Sequence, residues 1–249
     1  MNEFNQADSK GQKESRLEIS RKSRERCGEN LEKLRELILS CCHVFWKNIR
    51  DIVFPTESVL EKSMNSLVFA HFLELPRVSN HILFLCLNGL YRNAYDSIRY
   101  ALESVIQALY IDSRHPETSI EVKIEILKEV ENKREYHANR LVDELEIPYK
   151  DRIKEQYKRL SQIIHPSHEQ VMATLGDVRE RKGIPVVIDC SEIENIFMSM
   201  RMMYDIFFFL TITHFPEFEE SMRRDSETIK TVKSHKMYLL SKALKVRLL

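Results

Sequence analysis

One apolar row decides the fold class. Leu83, Leu87, Leu90, Ala94, Ile98, Ala101, Val105 and Leu109 recur at three- and four-residue steps. That period keeps all of them on one side of an α-helix. Tyr91, Tyr95, Leu102 and Ile106 widen the same face. A helix with so broad an apolar face has to be covered by other helices. The row therefore predicts the central helix, over about residues 79–113, of an all-α, up-and-down helical bundle.

The rest of the chain agrees with that class. It has only 5 glycines and 7 prolines in 249 residues, and the prolines fall almost entirely between helical patterns. Residues 1–15 are polar and are expected to be disordered. A long N-terminal helix follows to Val53, with Leu31, Leu34, Ile38, Cys41, Phe45 and Ile49 on one face, and Pro55 ends it. Thr56 is placed to cap a second helix running to Leu75, which Pro76 separates from the central one. The charged stretch 117–146 reads as an outer helix or arm, and 149–165 as a helix that Pro166 stops. Ile184–Ile188 is the one strand-like run, demoted by its proline to an edge or connector. Asp189 or Ser191 can cap the apolar helix that reaches Phe215. The expected organisation is a disordered 1–15, a bundle domain over 16–228 and a basic amphipathic helical tail over 229–249.

Lysine plus arginine equals aspartate plus glutamate at 38 each, so no global field draws the chain to nucleic acid or membrane. The apolar run Ile196–Ile212 is shorter than the ~20 residues of a span and is interrupted by Arg201 and Asp205, which makes it a core helix. The five cysteines, odd in number and without a CxxC pair, predict free thiols in a reducing cytoplasm. A polar N-terminus without an apolar core predicts no secretory leader. No pattern of metal ligands, glycine-rich phosphate loop or dinucleotide fingerprint is present, so no metal and no cofactor are expected.

Two stretches carry candidate chemistry. On the central helix, Arg92, Asp96, Arg99 and Glu103 recur at steps of four, three and four, within a stripe roughly 60° wide. They are an ion-pair ladder or one wall of a charged cleft. In Tyr157–His168, His165 is the best general acid or base, because an imidazole titrates near neutrality. Ser161 lies one turn before it, and Lys154 and Lys158 make a positive strip suited to phosphate. Arg159 stands six residues before His165, roughly 120° away around an ideal helix, so the pair meets only across a dimer seam or at a distorted helix end. The tail holds Lys230, Lys233, Lys236, Lys242, Lys245 and Arg247 among regularly spaced apolar residues. It is a docked helix with solvated lysines, or a surface for RNA or an acidic partner.

Leu90–Glu103 followed by Leu160–Ser167 resembles prokaryotic proteins of the DUF5677 type, related to the HEPN helical-bundle superfamily. The similarity is clearest over about residues 80–170. The resemblance implies a compact, commonly homodimeric bundle. It also implies a metal-independent endoribonuclease of a defence or toxin system, marked by Arg, four to six residues, then His, as Arg159 and His165 stand here. His165 would then move the proton at the ribose 2′-OH or at the leaving oxygen, and Arg159 would stabilise the phosphorane. Ser161, Arg99, Glu103, Arg92, Asp96 and Lys158 would support them. RNA and a protein partner, an antitoxin or effector, are the implied partners, with no membrane. The competing expectation is a non-catalytic interaction module of the same fold.

Overall fold

The computed structural model describes residues 18, 21–22, 25–131, 138–164 and 188–248. These residues form eleven α-helices and no strand: α1 (Gly28–Asn48), α2 (Glu57–Met64), α3 (Leu67–Leu87), α4 (Tyr91–Arg114), α5 (Ile120–Glu131), α6 (Ala138–Glu144), α7 (Lys150–Ile164), α8 (Cys190–His214), α9 (Pro216–Arg224), α10 (Ser226–Ser234) and α11 (Tyr238–Ala243). A π-helical turn, Ile49–Val53, extends α1. The all-α bundle expected from the sequence is the fold observed.

The central element is α4, as its apolar rows require. It packs against α3, α8, α7, α6 and α5, and Ala94, Ile98, Leu102, Val105, Ile106 and Leu109 are all buried. The second core helix is α8, whose apolar residues are buried on nearly all sides against α4, α1, α11 and α3. It is the one described helix long and apolar enough to cross a membrane, and 72% of its most apolar window is buried inside the bundle. Aromatic rings close the space between α1, α3, α8 and α9. Phe72 meets Phe45 at 4.4 Å and Phe208 and Phe218 at 5.9 Å each. Each such side chain contributes about 1.5–3 kcal/mol by leaving water.

The helix boundaries differ from expectation at Pro76. Instead of ending there, α3 runs through Pro76 to Leu87. A proline inside a helix costs about 3 kcal/mol. Burial of Phe72, Leu75, Ser79 and Ile82 on either side offsets that cost. The actual stops lie elsewhere. Ser66 caps α3 by accepting from the Phe69 N–H at 3.1 Å. At the other end Gly89 takes φ 67°, its N–H donating to the Cys86 carbonyl and that of Leu90 to Leu85. Those two bonds close a helix with a left-handed residue, which glycine adopts without strain. The predicted helix over 79–113 is thus two antiparallel helices with a tight turn between them.

Two buried aspartates hold distant helix starts. Asp112, near the end of α4, accepts the N–H groups of Leu67 and Val68 at 3.2 and 3.0 Å and the Ser66 hydroxyl at 2.6 Å. Asp205, which interrupts the apolar run of α8, accepts the N–H groups of Leu239 and Leu240 at 2.9 and 2.8 Å. Each satisfies first-turn donors that no helix can satisfy internally. Burial pushes the Asp205 carboxyl above its ordinary range.

The basic tail is docked on the bundle. Leu239, Leu240 and Leu244 are buried, and α10 runs through residue 228, so no break separates the tail from what precedes it. The described residues of 117–146 also pack inward, through Val130, Leu141, Val142 and Leu145. Residues 1–15 and the strand-like residues 184–187 lie outside the described residues. Ile188, the end of that run, is buried in neither helix nor strand.

The cysteines correct the expectation of free thiols. Cys27 and Cys190 form a disulfide that joins the start of α1 to the start of α8, with Cα atoms 5.1 Å apart. Their spacing of 163 residues carries no local signal. Cys41, Cys42 and Cys86 are free, and burial raises all three thiols, that of Cys86 to about 12.

Candidate functional site

The turn at Gly89 folds α3 back along α4, and a cleft of about 480 Å³ opens on the outer side of this hairpin. Arg77, Val78 and His81 line it from α3, and Asp96, Ser97, Arg99, Tyr100 and Glu103 from α4. The i, i+4 spacing of Arg77 and His81 puts both on one face of their helix, opposite the charged stripe of the next.

Arg99 and Glu103 form the inner end. The Arg99 Nη2 lies 3.7 Å from the Glu103 carboxylate. Tyr157, on α7, donates its hydroxyl to Glu103 Oε1 at 3.1 Å, and the Arg99 guanidinium sits over the Tyr157 ring at 5.7 Å from its centre. This triad ties the stripe of α4 to α7. Burial opposes the Arg99 charge, but the Tyr157 hydroxyl and the Glu103 and Asp96 carboxylates outweigh it and hold the guanidinium above its ordinary value. Burial, and then the Glu103 carboxylate, raise the Tyr157 hydroxyl. Arg99 Nε is buried without a hydrogen-bond acceptor among the described residues. A buried donor left unmade costs about 1–3 kcal/mol.

The stripe is therefore only partly a ladder. Among the described residues only its Arg99–Glu103 step closes to an ion pair; Arg92 and Asp96 are exposed. Asp96 joins the cleft lining with Arg99 and Glu103, whereas Arg92 and Lys158 do not line it. Lys158 is exposed, Ser161 is half-buried one turn beyond Tyr157, and Lys154 is taken up by Asp143 at 2.8 Å. Arg159 is exposed on α7, and its charge acts on the hydroxyl of Tyr95. That hydroxyl donates to Glu192 at 3.1 Å; burial first, then the Glu192 carboxylate, push it well up. His165, and with it the Arg159–His165 geometry, lies outside the described residues.

Sequence reasoning missed Arg77 and His81: Pro76 was expected to break the chain beside Arg77, and an unbroken helix over 79–113 kept His81 far from Asp96 and Arg99, whereas the turn at Gly89 folds both back along α4. It also missed a second polar cluster, in a cleft of about 510 Å³. There Asp112 takes the Lys123 ammonium at 3.0 Å and faces His214 Nε2 at 3.4 Å, and Lys123 also donates to the Asn65 carbonyl at 2.7 Å. Burial lowers His214, with the Asp112 carboxylate opposing. These side chains come from four separate segments, so no spacing announces them. Their donors and acceptors are matched to one another, which marks a structural cluster. No three His, Cys, Asp or Glu side chains gather to hold a metal among the described residues.

Comparison with protein-family models, curated proteins and solved structures gives no match.

Proposed function

We propose that the protein is a HEPN-like, metal-independent endoribonuclease of a defence or toxin system, acting on RNA at the junction of the α3–α4 cleft and α7. One observation supports the reading most: the Arg99–Glu103–Tyr157 triad fastens the charged stripe of α4 to the helix that carries Arg159 and leads into His165. In this reading an RNA phosphate enters the cleft that Arg99 and Arg77 line. His165 takes the proton from the ribose 2′-OH, the 2′-oxygen attacks phosphorus, and the 5′-oxygen leaves with a proton. Arg159 stabilises the charge that grows on the phosphoryl oxygens. The product carries a 2′,3′-cyclic phosphate, and the step needs no metal. The reading includes a homodimer with paired motifs at its seam, a protein antitoxin or effector, and a cytoplasmic location. In that compartment the Cys27–Cys190 pair would follow the cellular redox state.

A second reading, a non-catalytic RNA- or protein-binding module, draws on the position of Arg159. Its charge acts beside the Tyr95–Glu192 hydrogen bond, an arrangement that favours holding a ligand over transferring a proton. Purified protein and its His165→Ala and Arg159→Ala variants are incubated with single-stranded and structured RNA in EDTA. Cleavage by the wild type that both variants lose, with cyclic-phosphate ends, supports the enzyme. Binding without cleavage supports the module. Cleavage of equal rate in all three rejects the assigned roles.

A further inference from the structure

α1 presents two faces. Leu34, Leu37, Ile38, Cys41, Val44 and Phe45 are buried against the bundle. On the opposite side Glu32, Glu36, Leu39, His43 and Trp46, followed by Arg50 in the π-helical turn that extends α1, recur at steps of four, three, four, three and four, and all six are exposed. That is the spacing of a helix-pairing seam, in which alternate steps of three and four keep one stripe toward a partner. Two large apolar side chains flank His43 at its centre: Leu39 is 57% exposed and Trp46 54%. Large apolar side chains left in water at seam positions mark a contact surface.

The order of charge along the seam selects the partner. The N-terminal end carries Glu32 and Glu36, the C-terminal end Arg50. A second copy laid antiparallel, with a two-fold axis through the His43 turn, sets Leu39 beside Trp46 of the partner subunit. It sets Glu36 opposite Arg50 of the partner subunit, and the reciprocal contacts follow by symmetry. A parallel copy would set Glu36 against Glu36 of the partner subunit and Arg50 against its own counterpart. Arg50 already holds its neighbour Asp51 at 2.7 Å, so the partner's carboxylate completes a three-charge group instead of breaking a pair. We infer that the outer face of α1 is a homodimer interface, formed by antiparallel pairing of two copies of this helix through Leu39 and Trp46 and kept in register by Glu36 and Arg50.

This seam is a different face from the motif-lined seam of the nuclease reading and competes with it as the homodimer contact; the chemistry assigned to Arg159 and His165 is tested separately. α1 packs on α8, α3, α10 and α9, whereas the helix carrying Arg159 packs mainly on α4 and α6 and shares only α8 with α1. A seam of one helix pair, about 27 Å long at 1.5 Å per residue, belongs to weak, concentration-dependent association.

Trp46 is the only tryptophan in the chain, so its fluorescence reads this surface alone. Sedimentation equilibrium and emission spectra are recorded together from roughly 1 to 200 μM, a range chosen around the micromolar affinities of small interfaces. The expected result is a rise in mass from one chain to two with a blue shift of Trp46 over the same concentrations. Leu39→Lys should abolish both. Glu36→Arg alone and Arg50→Glu alone should each weaken the dimer about tenfold, and the double variant should restore it. All these positions are exposed, and circular dichroism confirms that each variant folds. A monomer throughout the range overturns the proposal. So does a dimer without a Trp46 shift, or one indifferent to the charge reversals; either places the contact on another face.

Discussion

Asp225 offers the sharpest test of how the last helices are held. It caps α10 by accepting the Thr228 N–H at 2.9 Å and the Thr228 hydroxyl at 2.6 Å, and it pairs with Lys47 of α1. Burial alone would raise its carboxyl, but the Lys47 ammonium and the two Thr228 donors outweigh burial and bring it down to about 2 from an ordinary 3.8. At about 1.36 kcal/mol per pH unit, that difference is worth roughly 2 kcal/mol of folding stability when the group is ionised in both states. The folded value is the lower one, so the contribution is complete above pH ~5 and is lost as pH falls toward 2. Asparagine at this position keeps an N-cap acceptor but removes the charge. Urea unfolding of wild type and Asp225→Asn, followed by circular dichroism, should show a gap of about 2 kcal/mol at pH 7, narrowing to about 1 kcal/mol at pH 3. The other carboxylates titrate alike in both proteins and cancel. A gap that is absent at pH 7, or unchanged at pH 3, would refute the reasoning.

Three further outcomes follow from the same geometry. Cys27→Ser, or reductant on the wild type, removes a cross-link across 163 residues; the chain-entropy model puts the loss near 5 kcal/mol and typical disulfides at about 2–4 kcal/mol. Equal unfolding midpoints with and without reductant would contradict it. Asp112→Ala strands the buried Lys123 ammonium and should cost about 3–5 kcal/mol by thermal or urea unfolding. Lys236 takes a left-handed φ of 49° at the end of α10; Lys236→Gly relieves strain of about 1–2 kcal/mol but loosens the unfolded chain, for a net gain of about 0.5 kcal/mol in a melting experiment.

The fold class was legible because its signal is periodic and local. Ala94, Ile98, Leu102 and Val105 show on paper the face they bury, and Asp189 caps α8 from the position its sequence context suggests. Pro76 misled, because burial of its neighbours overrides a local penalty that sequence displays openly. The cleft was half legible. Asp96, Arg99 and Glu103 share one helix and could be grouped by counting, whereas Arg77 and His81 reach it only through the turn at Gly89. Tyr157 lies on a separate helix, and its hydroxyl contact with Glu103 is set by the approach of α7 to α4, which no spacing announces. Asp112 and Lys123 escaped altogether, since a helix start supported from another helix has no spacing rule.

The Cys27–Cys190 bond makes a covalent ring of the chain between them, and this ring contains α1 through α7. The short N-terminal segment and the run from α8 to α11 leave the ring from adjacent points, as two tails on one knot. A single peptide cut anywhere inside the ring opens it without releasing a fragment. Under oxidising conditions a protease can therefore nick the helices that form the cleft and still leave one molecule of unchanged size. Reductant then separates it into two pieces, each carrying part of the central bundle.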